Sequence, residues 1–158
     1  MEKFFGKNHR KERAAEEGFT LIELLVASAI LIAAVSGILL SYLRCLELNE
    51  VSRNSSLAVK MAQSRLEQIK AANYTDIKPN FDDVAFAITG LDGRGVSYVD
   101  DATADLLRVT VSVCWRQKNG RVFGEDINMN GQLDAGEDAS GNGILDSPVQ
   151  LTSRIFER

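Results

Sequence analysis

Between Phe19 and Leu43 the chain runs for 25 positions with one charged side chain, Glu23. A helix of that length and apolarity can cross the hydrocarbon layer of a bilayer, which takes about 20 residues. Its apolar side chains fall on every helical face, which suits lipid or a bundle of like helices better than one side of a soluble core. The remainder of the 158 residues is polar and acidic. Net charge is -4, but the first 18 residues hold five Lys/Arg against four Glu, leaving 13 basic and 18 acidic side chains beyond them. A domain with that balance is a poor generic binder of nucleic acid, and no nucleic-acid partner is predicted. The length leaves room for one modest domain after the apolar run.

The segment before that run, MEKFFGKNHRKERAAEEG at residues 1–18, is charged and has no apolar core. A conventional secretory leader places its hydrophobic region ahead of the cut, whereas here the hydrophobic region follows. Lys3, Lys7, Arg10, Lys11 and Arg13 predict a cytoplasmic N-terminus, with everything after about residue 45 across the membrane. The one histidine, His9, lies in this segment. A chain cut after Gly18 would therefore have no imidazole for Ser/His/Asp, Cys/His or His-ligated metal catalysis, and no enzyme activity is expected. Cys45 and Cys114 lie 69 positions apart without a CxxC spacing, so they suggest neither a zinc site nor a thioredoxin-like motif; whether they pair is left open.

Beyond Arg44 the pattern turns amphipathic: Val51, Ala58, Ala62, Leu66, Ile69 and Ala72 recur at helical spacing among charged residues. The helix is expected to leave the membrane and continue to about residue 72, on the order of 80 Å from Phe19 at ~1.5 Å per residue. Asn73, Pro79 and Asp82-Asp83 end that signal. Short β-type runs follow at 84–88, 96–99 and 107–115, the last with Leu107, Val109, Val111, Val113 and Trp115 on one face. Arg108, Thr110, Ser112, Cys114 and Arg116 take the opposite, wetter face. Asn119-Gly120 reads as the two left-handed positions of a tight turn into Val122-Phe123. The return strand breaks and resumes at 148–156. The expected fold is α+β: a long N-terminal transmembrane and amphipathic helix on a roughly four-stranded antiparallel sheet, with residues 125–147 inserted in the final hairpin. The expected division is 1–18 leader, 19–44 membrane half of the helix, and 45–158 C-terminal domain.

GFTLIELLVASAIL, starting at Gly18, resembles the prepilin-type cleavage and methylation segment of type IV pilins and type II secretion pseudopilins. The match joins a basic leader, Gly18 before the cut, Phe19 after it, and Glu23 at the fifth position of the mature chain. The resemblance implies cleavage between Gly18 and Phe19 by a membrane prepilin peptidase, N-methylation of Phe19, and a pilin-like fold. It also implies partners: other pilins in a filament, an inner-membrane assembly platform, and lipid. Localisation would be the bacterial inner membrane, with the C-terminal domain periplasmic, or extracellular within a pilus. A carboxylate in the hydrocarbon layer costs at least ~2.5–3.5 kcal/mol, so Glu23 needs a partner or a proton. In the family the partner is the N-terminal amine of a neighbouring subunit or of its own chain; a protonated, lipid-facing Glu23 is the alternative. Ala27, Ser28, Ala29, Ala33, Ala34, Ser36 and Gly37 would let helices approach closely, although membrane helices in general share such composition. Many pilins carry a proline where this chain has Leu40, which weakens the expectation of local melting there. The resemblance extends, less specifically, to PilV-like minor pilins, so the expected role is a minor filament subunit. The alternatives are a secretion pseudopilin or a calcium-dependent binding module at a filament tip.

DINMNGQLDAGE at 126–137 fits the calcium-loop pattern D-x-[DN]-x-[DN]-G-x5-E at every constrained position. Calcium takes six to eight hard oxygens, and Asp126, Asn128, Asn130, Asp134, the Gln132 carbonyl and a bidentate Glu137 would supply them. A second copy follows with Asp138, Ser140, Asn142, the Ile144 carbonyl and Asp146 in matching places, but Val149 stands where the closing Glu belongs. That second site is expected to be weaker or to share ligands with the first, giving one to two calcium ions. No helix pair flanks either loop, so the expectation is a calcium staple rather than an opening sensor, the alternative being a solvated acidic turn without metal.

Overall fold

The computed structural model describes residues 18–103 and 105–157; the leader residues 1–17, with their basic side chains and His9, lie outside the described residues. The chain divides into two compact units, Met1–Leu43 and Arg44–Arg158. Helix α1, Leu21–Lys70, contributes to both.

In the first unit, Thr20 starts the helix. Its Oγ1 accepts the Glu23 N–H at 3.2 Å and its carbonyl accepts the Leu24 N–H, the cap expected of Thr with Glu three residues on. Leu21, Ile22, Leu24, Leu25, Ile30, Leu31, Ile38 and Leu39 are all exposed. Ser28 and Ser41 return their hydroxyls to the Leu25 and Gly37 carbonyls, so neither needs water inside an apolar segment. The helix is long and apolar enough to cross a membrane. It passes Leu40 without a break.

In the second unit, Asn54, Ala58, Ala62, Leu66 and Ile69 form the buried stripe of α1. Its spacing is the predicted one, with Asn54 rather than Val51 as its first buried member. A second helix, α2 at Tyr74–Phe81, was not anticipated because Asn73 and Pro79 read as breakers. It forms because Ile77 is wholly buried in the core, which outweighs a proline confined to the last turn.

Five strands make one open antiparallel sheet: β1 Val84–Ala87, β2 Gly93–Thr103, β3 Leu106–Arg116, β4 Val122–Phe123 and β5 Val149–Phe156. Strand β3 is central, with β2 on one side and both β4 and β5 on the other. Because β4 pairs with Trp115-Arg116 and β5 with Leu106–Val113, they occupy one strand line that the 124–148 segment interrupts. The β3–β4 turn differs from expectation. Gly120 is left-handed at φ 82° but Asn119 is not among the positive-φ residues. Gln117 accepts the Gly120 N–H and donates to Arg121 O, which makes a three-residue loop with a glycine bulge.

Val109, Val111, Val113 and Trp115 are wholly buried and join the α1 stripe, Ile77 and Val149 in the core. The other face of β3 is not uniformly wet: Ser112 and Cys114 are 1% and 2% exposed. The insertion lies against Cys114. A Cβ on Gly124 would lie 2.3 Å from Cys114 Sγ, and one on Gly131 would lie 2.5 Å from Ala85 Cβ. Leu145, also fully buried, donates its N–H to the Tyr98 hydroxyl. The domain therefore has three layers: helices, sheet and insertion.

Gly93 sits opposite Trp115 in the β2–β3 ladder. A Cβ there would meet Cys114 O at 2.3 Å and Trp115 Cα at 2.9 Å, backbone atoms that cannot rotate away. Gly93→Ala is expected to destabilise the domain by about 1–3 kcal/mol, seen as a lower urea midpoint. An unchanged midpoint would show that β2 can shift to accommodate the methyl.

Candidate functional site

The first candidate is the start of α1. Gly18 and Phe19 are exposed ahead of the helix, Phe19 by 84%. Glu23 lies in the first turn, where the partial positive charge of the helix N-terminus favours a carboxylate. No cationic side chain pairs with it among the described residues.

The second candidate is the insertion, held in shape by side chain to backbone bonds because it has little apolar content of its own. In its first half Asp126 Oδ1 accepts the Asn130 N–H at 3.1 Å and Oδ2 the Gly131 N–H at 2.8 Å. Asn130 Oδ1 accepts the Gln132 N–H at 2.7 Å, while its amide donates to Asp134 Oδ2 at 2.8 Å. Asn128 also donates to Asp134 Oδ2, at 2.7 Å. Glu137 returns from the end of the loop to accept the Ile127 N–H at 2.8 Å and the Asp134 N–H at 3.2 Å, one on each carboxylate oxygen.

The second half repeats this wiring. Asp138 Oδ1 accepts the Asn142 N–H at 3.1 Å and Oδ2 the Gly143 N–H at 3.0 Å. Asn142 Oδ1 accepts the Ile144 N–H, and its amide donates to Asp146 Oδ2 at 2.9 Å. Ser140 makes a long bond, 3.5 Å, to Asp138 Oδ1. The backbones match as well: the fourth residue of each copy, Met129 and Gly141, is left-handed, and so is the sixth, Gly131 and Gly143. Val149, in the place of the closing Glu, is instead the first residue of β5, 6% exposed and paired with Val113.

Glu125 was not among the expected site residues. Its Oε1 accepts the Ala139 N–H at 3.1 Å and its Oε2 the Asp146 N–H at 2.9 Å. The available signal was the recurrence of Glu-Asp at 125–126 and 137–138, twelve residues apart.

Asp126 is fully buried and Glu137 is 5% exposed, yet no Lys or Arg pairs with either among the described residues. The two nearby guanidinium groups face carbonyls: Arg94 donates to Met129 O and Arg116 to Ile127 O. Burial pushes the Tyr98 hydroxyl up to about 12 and raises the Cys114 thiol, so both stay neutral under the insertion at ordinary pH. Buried carboxylates without a counter-charge are costly, and an oxygen-only donor set suits a hard divalent cation. Among the described residues no three His, Cys, Asp or Glu side chains converge as a ready-made metal cluster. The carboxylates are engaged with backbone N–H groups and Asn amides instead. Cys45 and Cys114 are both free thiols, Cys45 exposed and Cys114 buried.

Residues 13–40 match the family described as the prokaryotic N-terminal methylation motif. No curated protein matches the chain, and no solved structure does.

Proposed function

We propose, for a chain that carries the leader segment of type IV pilins and pseudopilins at residues 13–40, that it is a minor structural subunit of a type IV pilus-like filament. The observation that carries this reading is the coincidence of the methylation motif with a capped, exposed apolar helix beginning at Leu21. In this reading prepilin peptidase cuts between Gly18 and Phe19 and methylates the new N-terminus. The helix holds the subunit in the inner membrane with its C-terminal domain on the periplasmic side until the assembly platform passes it to a growing filament. Exposed apolar side chains then exchange lipid for the helices of other pilins, and Glu23 finds a neighbour's amine.

Mass spectrometry of sheared filaments and membranes tests this through a peptide beginning at methylated Phe19. Its presence in sheared filaments supports a minor pilin. Its presence in membranes alone favours a secretion pseudopilin, and a chain still carrying residues 1–18 overturns the reading.

Calcium is the proposed occupant of the insertion, held in the first loop by Asp126, Asn128, Asn130, Gln132, Asp134 and Glu137. The motif and the buried, unpaired carboxylates support it. The ion would supply charge neutralisation and order, not chemistry. Free calcium tenfold above Kd is expected to stabilise the domain by about 1.4 kcal/mol per site. A rise in melting temperature with calcium that a chelator reverses would show this, and identical melts with and without calcium would remove the ion from the account.

A further inference from the structure

We propose that Glu125 is the closing ligand of the second cation loop, so that the two loops form one closed ring in which each half is completed by the glutamate that begins the other. The inference rests on the calcium reading above. In the first loop the closing Glu137 holds the N–H groups of the second and ninth residues, Ile127 and Asp134. In the second loop the same two positions are Ala139 and Asp146, and both N–H groups are held by Glu125. Each carboxylate divides its oxygens the same way, Oε1 to the second residue and Oε2 to the ninth. Glu125 thus replaces Val149, the position spent on the first core residue of β5.

The segment is therefore a tandem twelve-residue repeat, EDINMNGQLDAG followed by EDASGNGILDSP. Read linearly, the second copy lacks its glutamate; read in three dimensions, the glutamate is at the front of the first copy. The Glu125 N–H to Asp146 O bond, 2.9 Å, fastens the two ends of the ring together. Glu125 adjoins Asp126, the first ligand of loop one, and Glu137 adjoins Asp138, the first ligand of loop two. A cation in either loop orders one residue of each adjacent pair, so filling one loop pre-positions the other's ligand. The occupant fitting both loops is a divalent cation that prefers oxygen, with calcium as the probe.

Calorimetric titration of the full mature chain in detergent with calcium alone tests this. The expected result is two ions for the parent protein and, for Glu125→Gln, one retained ion and a second weakened by at least roughly tenfold, as loss of even a supporting partner costs 10–100-fold. Asp138→Asn, which alters the same loop from within, should reproduce that pattern and serves if Glu125→Gln fails to fold. Two ions of unchanged affinity in either folded variant overturn the ring while leaving the calcium reading intact. A single ion in the parent, unaffected by both variants, does the same. No binding by the parent overturns both.

Discussion

Trp115→Ala is expected to lower the unfolding free energy of the domain by about 3–5 kcal/mol, the largest stability loss available from one side chain here. Trp115 is fully buried, stacks on Phe123 with ring centroids 5.1 Å apart, and stands on the core face of the central strand. Truncation would leave a cavity bounded by a sheet that cannot collapse into it, because β3 is paired on both sides at this point, to Gly93 and to Phe123. Trp115→Phe is the informative companion. The indole Nε1 is buried without a hydrogen-bond partner, so removing it costs no bond, and a volume-tolerant aromatic swap should stay within about 1.5 kcal/mol of the parent. Since Trp115 is the one tryptophan, urea unfolding has to be followed by circular dichroism rather than by its fluorescence. Equal midpoints for parent and Trp115→Ala would mean that the strand face is not the keystone of the core.

The second large effect is on assembly. Glu23→Leu is expected to abolish incorporation into sheared filaments while leaving leader cleavage and membrane insertion intact. The helix start does not depend on this carboxylate, because the Glu23 backbone N–H is capped by Thr20. An apolar residue in its place removes the cost of placing a charge in hydrocarbon, so insertion can only become easier. In the proposed filament, what is lost is the one anionic group between Phe19 and Leu43, which would select a neighbour's amine. Immunoblots of sheared and membrane fractions measure the outcome. Normal incorporation of Glu23→Leu would assign assembly to apolar packing alone.

The methylation motif and the long apolar N-terminal helix were legible in the sequence because each is a local pattern. The apolar run between Phe19 and Leu43 and the Gly18-Phe19-Glu23 spacing depend on near neighbours. So does the stripe Ala58, Ala62, Leu66 and Ile69, which repeats at the helical period whatever it packs against. Tertiary structure decided what depends on residues far apart in the chain. Ile77 had no local reason to be helical beside Pro79 until the core gave it somewhere to go. Ser112 and Cys114 alternate with apolar residues and so read as facing water, yet both are buried, Cys114 against the insertion. Val149 stands where the sequence pattern of the second loop expects a glutamate. Pairing with Val113 draws it into the sheet, and Glu125, 24 residues upstream, accepts the Ala139 and Asp146 N–H groups. Alternation and motif spacing carry one-dimensional information, whereas which face is covered and which backbone groups a carboxylate meets are fixed by contacts between residues distant in the chain.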